Sequence, residues 1–309
     1  FAITTGEIRA VVGANGAGKS TLMKVLAGAN PDYTGEVLLN GRTVELRTPT
    51  AAKKIGIQIV YQEVDTALVP TLSVGENVML NQTVMSRGKP FMNWPSIHQQ
   101  AREVLQRLNI TNINVRTLVQ DLSLAQKQMV LIARAIQSQC SFLILDEPTA
   151  PLSDTETVEL FRMVQHLRDT ENIGVIFISH RIHEIIQICH QYTVMRNGEI
   201  VGTRDVTPQT TSKEIVEMML GRTFEENFPK EEVKLGEEFF EVRDLAGGDG
   251  KVNGVSMHMK RGEIIGIAGL VGAGKSEFCK TLFGGYKQTG GEIILNGKRL
   301  KIKTPSDAV

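Results

Sequence analysis

Two stretches of the chain, GANGAGKST at 13–21 and GLVGAGKSE at 269–277, follow one design written twice, 256 residues apart. Each fits G-x-x-x-x-G-K-[ST], and the first comes straight after the apolar run IRAVV at 8–12. That order restricts the fold: a strand has to deliver the loop and a helix has to leave it. Glycines at Gly13, Gly16 and Gly18 let successive backbone N–H groups turn inward around an anion. The N-terminus of the following helix adds the positive end of its dipole. In such a loop Lys19 reaches the terminal phosphates of a nucleotide and the Ser20 hydroxyl is a magnesium ligand, with Asn15 and Thr21 completing the cradle. Gly269, Gly272, Gly274, Lys275 and Ser276 repeat the arrangement. A single copy also reads as a glycine-rich turn with a surface lysine. The strand before it, the helix after it and the second copy argue against that.

The duplication extends beyond the loops. GEI at 6–8 recurs at 262–264, GEVLLNG at 35–41 recurs as GEIILNG at 291–297, and the offset is always 256. Without a gap, 20 of 53 aligned positions are identical. A period this long marks a duplicated domain rather than a solenoid. The 309 residues leave room for two domains at about 100–200 residues each. We expect a first domain over 1–221, a linker at 222–238 carrying a Pro and mixed charge, and the start of a second copy over 239–309. The chain opens at Phe1, and the strand-like FFEVRDL at 239–245 has no counterpart ahead of it, so we expect a piece of something longer.

Within the first copy, IRAVVG (8–13), IQIV (57–60), FLILD (142–146) and VIFIS (175–179) are short, β-rich and apolar on both faces. Such runs suit a buried, mainly parallel sheet covered by helices. Asn-Gly pairs at 40–41 and 197–198 predict hairpin turns. Helical spacing covers 96–109 and 123–139, and the helix-rich stretch 63–122 is expected to form its own subdomain. The expected class is α/β: a phosphate-loop sheet flanked by helices, with a β-rich edge and a helical subdomain, duplicated.

Lys plus Arg and Asp plus Glu each number 34. That neutral balance argues against a chain that coats nucleic acid or holds to anionic lipid by net charge. No run approaches the roughly 18 apolar residues of a membrane span. Cys140, Cys189 and Cys279 are far apart, with no CxxC or Cys/His spacing, which argues against a disulfide framework or a zinc site and fits a reducing, cytoplasmic compartment.

FLILDEP sets Asp146 and Glu147 at the end of an apolar strand. In an open α/β sheet the carboxyl ends of strands face the ligand crevice, which brings both acids beside the phosphate loop. Asp146 then holds magnesium and Glu147 accepts a proton from an attacking water. The alternative is that the acids merely end the strand and cap a helix begun by Pro148 and Thr149.

GANGAGKS, VYQE, LSLAQ, FLILDEPTAPLS and ISH, in that order, resemble the ATP-binding cassette family. The duplication and the wording EPTAPLS are similar to the tandem ATPases of bacterial simple-sugar importers of the ribose and galactose type. The resemblance implies that Gln62 contacts magnesium and the attacking water and reports nucleotide state to a membrane subunit, and that His180 contacts the γ-phosphate. It implies that Ser123 and Gln126 reach the γ-phosphate held by the opposite copy. From the residues alone, Ser123 and Gln126 form an S-x-x-Q capping box ahead of a buried stripe of Met129, Ile132, Ala133 and Ile136. The two readings use the same geometry. Leu124 and Ala125 stand where the commoner family motif has two glycines, Ser153 stands at a position usually filled by Asp, and no adenine-stacking aromatic is identifiable.

The function implied is an ATP-binding and ATP-hydrolysing importer subunit, using ATP and Mg2+ and coupling hydrolysis to uptake of a monosaccharide through a separate permease. Membrane permease subunits would be direct partners and a sugar-binding protein an indirect one, with the cassettes associating with each other at the cytoplasmic face of the membrane. Importers of nucleosides or autoinducers use similar tandem ATPases. A soluble cassette protein acting on ribosomes or DNA is a different class, disfavoured by the neutral charge and the lack of a basic arm. A switch GTPase is disfavoured because no N-K-x-D motif occurs.

Overall fold

The four apolar runs become neighbouring strands of one sheet. A computed structural model describes residues 1–85, 93–223, 233–270 and 272–309. The chain divides into two compact units, Phe1–Glu225 and Glu226–Val309. The expected linker at 222–238 falls largely on 224–232, outside the described residues.

The first unit has strands β1 (Ile8–Val12), β2 (Val37–Leu39), β3 (Arg42–Val44), β4 (Ile57–Val60), β5 (Phe142–Asp146), β6 (Gly174–Ile178), β7 (Gln191–Arg196) and β8 (Glu199–Asp205). Six of them form a sheet in the order β4-β5-β6-β1-β7-β8, parallel except for the last pair. The remaining two make a separate hairpin, β2 with β3. At both Asn-Gly turns the two central residues are left-handed: Asn40 and Gly41 have φ of 52° and 76°, Asn197 and Gly198 have 51° and 84°. A two-residue turn of this kind matches the twist of the strands it joins.

Strand residues alternate between two apolar layers, as the period of two requires. Ile8, Ala10 and Val12, Leu143 and Leu145, and Val175 and Phe177 share one cluster. Val11, Ile144, Ile176 and Ile178 face the other, with Met23, Leu46 and Ala52. The second layer is supplied by α1 (Lys19–Leu26) and α2 (Pro49–Lys54). The first layer is larger. It is built from α3 (Val64–Ala67), α4 (Val74–Val78), α6 (Trp94–Arg107), α7 (Leu124–Ile136), α8 (Asp154–Glu171), α9 (Ile182–Ile188) and α10 (Ser212–Leu220), with the short α5 (Leu80–Met85) following α4 in the chain. Val74 and Val78 of α4 and Leu105 of α6 lie in the same cluster as the sheet residues, so the helix-rich stretch is continuous with the main core. The stripe of Met129, Ile132, Ala133 and Ile136 is buried, and so are Val130, Leu131 and Ala135. The helix α7 is therefore enclosed on nearly all sides rather than half-exposed.

The second unit contains β9 (Glu238–Gly247), β10 (Val252–Lys260), α11 (Lys275–Leu282), β11 (Gln288–Leu295), β12 (Lys298–Leu300) and α12 (Pro305–Ala308). Its sheet runs β10-β9-β11-β12, antiparallel throughout. At the 256-residue offset, α11 repeats α1, and the end of β11 with β12 repeats the β2–β3 hairpin. Its turn, Asn296-Gly297, is again left-handed, with φ of 49° and 74°. Residues 264–268, the counterpart of β1, form no strand, and Ile264 is 98% exposed. In the first unit that strand is hydrogen-bonded on both sides, by β6 and β7; no such neighbours flank 264–268 among the described residues.

Candidate nucleotide site

Because β1, β4, β5 and β6 are parallel, the segments that follow Val12, Val60, Asp146 and Ile178 all leave the same edge of the sheet. Those segments are the glycine loop, the Gln62 region, the Glu147 turn and the His180 turn. Sequence order separates them by as much as 167 residues, from Gly13 to His180; topology collects them.

The loop's glycines have distinct physical reasons. A side chain on Gly13 would put its Cβ 2.3 Å from the Met195 carbonyl oxygen, so the backbone has to pass there bare. Gly16 and Gly18 have φ of 80° and 98°, conformations that other residues rarely adopt. Gly18 is the N-cap of α1 and makes no side-chain cap, which leaves that end of the helix to backbone groups. A Cβ on Gly16 would meet nothing within 4 Å, so its side of the loop is open. The Lys19 ammonium turns back into the loop and donates to the carbonyls of Gly13 at 2.7 Å and Ala14 at 3.1 Å. Burial pushes its pKa down, opposed by the charges of Glu147 and Asp146. Asn15, Ser20 and Thr21 are exposed at the mouth.

Asp146 ends β5 opposite Ile178 of β6. Burial pushes its carboxyl above the usual range, the adjacent Glu147 charge adds to this, and Lys19, His180 and Lys24 pull it back. Glu147 has left the strand geometry. Its φ is 48°, a left-handed conformation worth about 1–3 kcal/mol of strain in a residue that is neither Gly nor Asn. Its N–H donates to the Ile178 carbonyl at 3.0 Å, and its Oε1 lies 2.6 Å from His180 Nε2. A carboxylate oxygen only accepts, so in this contact the ring nitrogen is the donor. The next helix does not begin at Pro148 or Thr149. It begins at Asp154, after a capping box in which Ser153 Oγ accepts from the Glu156 N–H and Glu156 Oε2 accepts from the Ser153 N–H.

Gln62 follows β4, is exposed, and leaves the sheet beside β5, where Val60 pairs with Leu145. The neighbouring Tyr61 phenol is pushed up by burial and by the charge of Asp146. Ser123 and Gln126 form the expected capping box at the exposed start of α7: the Gln126 N–H donates to Ser123 Oγ at 3.3 Å, and the Ser123 N–H donates to Gln126 Oε1 at 3.1 Å. Neither is hydrogen-bonded to the phosphate loop. In the second unit Lys275 repeats the Lys19 geometry, donating to Gly269 at 2.5 Å and Leu270 at 2.7 Å. Gly272 and Gly274 are left-handed, at φ of 83° and 85°, and Ser276 is exposed.

Sequence reasoning missed Thr149, Ser179 and Glu184, which join the Glu147 and His180 turns through buried hydrogen bonds. Nothing in FISHRIHE distinguishes Glu184 from a solvated helical acid. The Ser153 cap did have a sequence signal, S-x-x-E at 153–156.

An apolar parallel sheet with a glycine loop at its centre and acids on the adjoining strand ends defines a nucleotide-binding α/β domain. The profile of the ABC transporter family matches residues 1–150 and 252–308, and the chain belongs to that family. It is 42% identical over its whole length to the ribose import ATP-binding protein of Rubrobacter xylanophilus, covering 60% of that protein. It is 38% identical, again over its whole length, to the xylose import ATP-binding protein of Thermoanaerobacter pseudethanolicus, covering 62% of it. The chain thus spans about 60% of the length of such relatives. Among solved structures, cbiO1 of Clostridium perfringens, part of an ABC transporter complex, aligns with a TM-score of 0.59 and 26% identity, over 72% of this chain and 86% of that one. An ATP-binding cassette of an ABC transporter in its ADP conformation shares the fold with a TM-score of 0.61 at 22% identity, over 72% and 91% of the two chains.

Proposed function

We propose that the chain is the ATP-binding and ATP-hydrolysing part of an importer for a monosaccharide, working on a separate membrane permease. The observation that carries the reading is the convergence of Lys19, Asp146, Glu147 and His180 at one edge of the sheet, with Glu147 and His180 2.6 Å apart. The import names of relatives at 42% and 38% identity support the sugar.

The Gly13–Ser20 loop binds the phosphates of ATP through backbone N–H groups and the Lys19 ammonium, which exchanges its carbonyl partners for phosphate oxygens. Ser20, Gln62 and Asp146 offer hard oxygen donors, the chemistry magnesium prefers. Among the described residues no three His, Cys, Asp or Glu form a metal cage. Magnesium supplies charge neutralisation at the β- and γ-phosphates. Glu147 accepts the proton of the attacking water, and His180, whose Nε2–H donates to that carboxylate here, turns this N–H toward the charge developing on the γ-phosphate once ATP is bound. Ser123 and Gln126 present a capped helix start at the exposed end of α7, suited to an anionic partner. Lys275 and Ser276 provide a second phosphate loop.

No helix among the described residues is long and apolar enough to cross a membrane, which agrees with a peripheral subunit docked on permease chains at the cytoplasmic face. The sugar then passes through the permease, delivered by a binding protein that this chain does not touch. Affinity purification of the intact protein from gently solubilised membranes tests the reading. A co-purifying multi-span permease and sugar-binding protein support it; ribosomal or DNA-bound partners without a permease overturn it.

A further inference from the structure

Glu184, in the first turn of α9, has no exposed surface. Its Oε2 accepts from Ser179 Oγ at 2.6 Å and from Thr149 Oγ1 at 2.8 Å, and its Oε1 faces Arg181 Nη1 at 3.3 Å. Ser179 Oγ in turn accepts from the Arg181 N–H at 3.0 Å. Thr149 lies two residues after Glu147, and Ser179 immediately precedes His180. One buried carboxylate therefore ties together the two turns whose tips carry the Glu147–His180 contact.

Burying an acid is unfavourable, and an apolar residue of similar size would fill the same volume without that cost. Packing alone does not account for a carboxylate here. What a carboxylate adds is direction: it only accepts, so both hydroxyls have to aim at it, and Thr149 and Ser179 are held at fixed distances from one point. Glu147 needs such fixing, because its φ of 48° is a conformation that a Glu holds only when its surroundings impose it. The Glu147 N–H to Ile178 carbonyl bond anchors one side of that turn, and the Thr149–Glu184 bond anchors the other.

We propose that Glu184 is a positioning residue for hydrolysis, setting the separation of Glu147 and His180 through Thr149 and Ser179. The inference rests on the reading that this pair acts on ATP. Its test measures kcat by phosphate release, the Mg-ATP Kd by equilibrium dialysis and the Tm on the intact protein, comparing wild type with Glu184→Gln. The amide has the same shape but one acceptor oxygen: turned toward Ser179 and Thr149 it points its N–H donors at the Arg181 guanidinium, and turned away it points them at both hydroxyls. We expect kcat to fall by about 10–100-fold, the scale of a misplaced reacting group, while Kd stays within about 3-fold. In a Glu147→Gln background, Glu184→Gln should slow the residual rate by less than it slows the wild type, since part of its effect runs through Glu147. Thr149→Val and Ser179→Ala each cut one tie and should show the same split, which carries the test if Glu184→Gln does not fold. Equal losses in kcat and Kd together with a lowered Tm, or additive effects in the double variant, would mark Glu184 as merely structural and overturn the proposal. A wild type that hydrolyses ATP beside an unimpaired Glu184→Gln overturns this inference alone; a wild type with no ATPase overturns the functional reading as well.

Discussion

Replacing Glu147 by Gln removes one negative charge and one proton acceptor and leaves almost everything else in place. The backbone N–H that donates to Ile178 is untouched, and the amide Oε1 still accepts from His180 Nε2 at the observed 2.6 Å separation. Folding should therefore be retained. Binding should be retained or tightened, because Glu147 contributes negative charge beside Lys19 where an anionic nucleotide is to sit. Hydrolysis should not be retained. If the carboxylate takes the proton of the attacking water, its loss lowers the chemical rate by about 10²–10⁴-fold. At about 1.4 kcal/mol per decade, that is roughly 2.8–5.6 kcal/mol of transition-state stabilisation. The assay is single-turnover phosphate release at saturating Mg-ATP, with Kd measured in parallel. An unchanged rate removes Glu147 from the role of base, and a Kd that weakens as far as the rate falls makes it a binding residue instead.

Asp146→Asn tests the electrostatics of the same strand end. The folded Asp146 carboxyl sits above its unfolded value, so its destabilisation is full above the raised pKa and is relieved as pH falls through it toward the ordinary Asp range. The variant should raise the apo Tm at neutral pH, with a gain that shrinks as pH falls toward the ordinary Asp range near about 4, and it should weaken Mg-ATP binding; a difference that stays constant as pH falls contradicts the assignment. Ser153→Ala and Ser123→Ala each remove a capping box and should cost about 0.5–2 kcal/mol. Thermal melts would show this as a fall of about 2–4 °C per kcal/mol in a domain of this size, and unchanged melts would mean the caps contribute nothing. Native alkylation should label Cys279, which is exposed, and spare Cys140, whose thiol is pushed up to about 12, and Cys189, which burial pushes further. Peptide mapping that finds Cys189 modified would contradict its burial.

What local spacing disclosed was backbone geometry. Gly16 and Gly18 ahead of Lys19 and the Asn-Gly turns at 40–41 and 197–198 each need a left-handed backbone over a residue or two, and each has it. The covering of the sheet was legible from runs apolar on both faces, because strands buried from two sides cannot alternate with polar residues. Long-range satisfaction was not legible. Glu184 reads as a surface acid until the fold brings Thr149 and Ser179 to it across 35 and 5 residues. The cost of a Cβ on Gly13 depends on the carbonyl of Met195, far along the chain. The join between the helices of 63–122 and the sheet core depends on packing that periodicity does not record. Residues 264–268 carry a strand-like sequence without strand neighbours, and a strand exists only in pairs.

Under the function we propose, ATP turnover at the Lys19–Glu147 site drives sugar across a membrane. Its most direct test is uptake of labelled ribose or xylose into vesicles carrying the intact protein, its permease and its sugar-binding protein, with and without Mg-ATP at the face where this chain docks. Uptake that needs ATP and disappears in Glu147→Gln is the predicted result. Full ATP-driven uptake in that variant, or wild-type ATPase activity with no effect on the movement of any sugar tested, would contradict it.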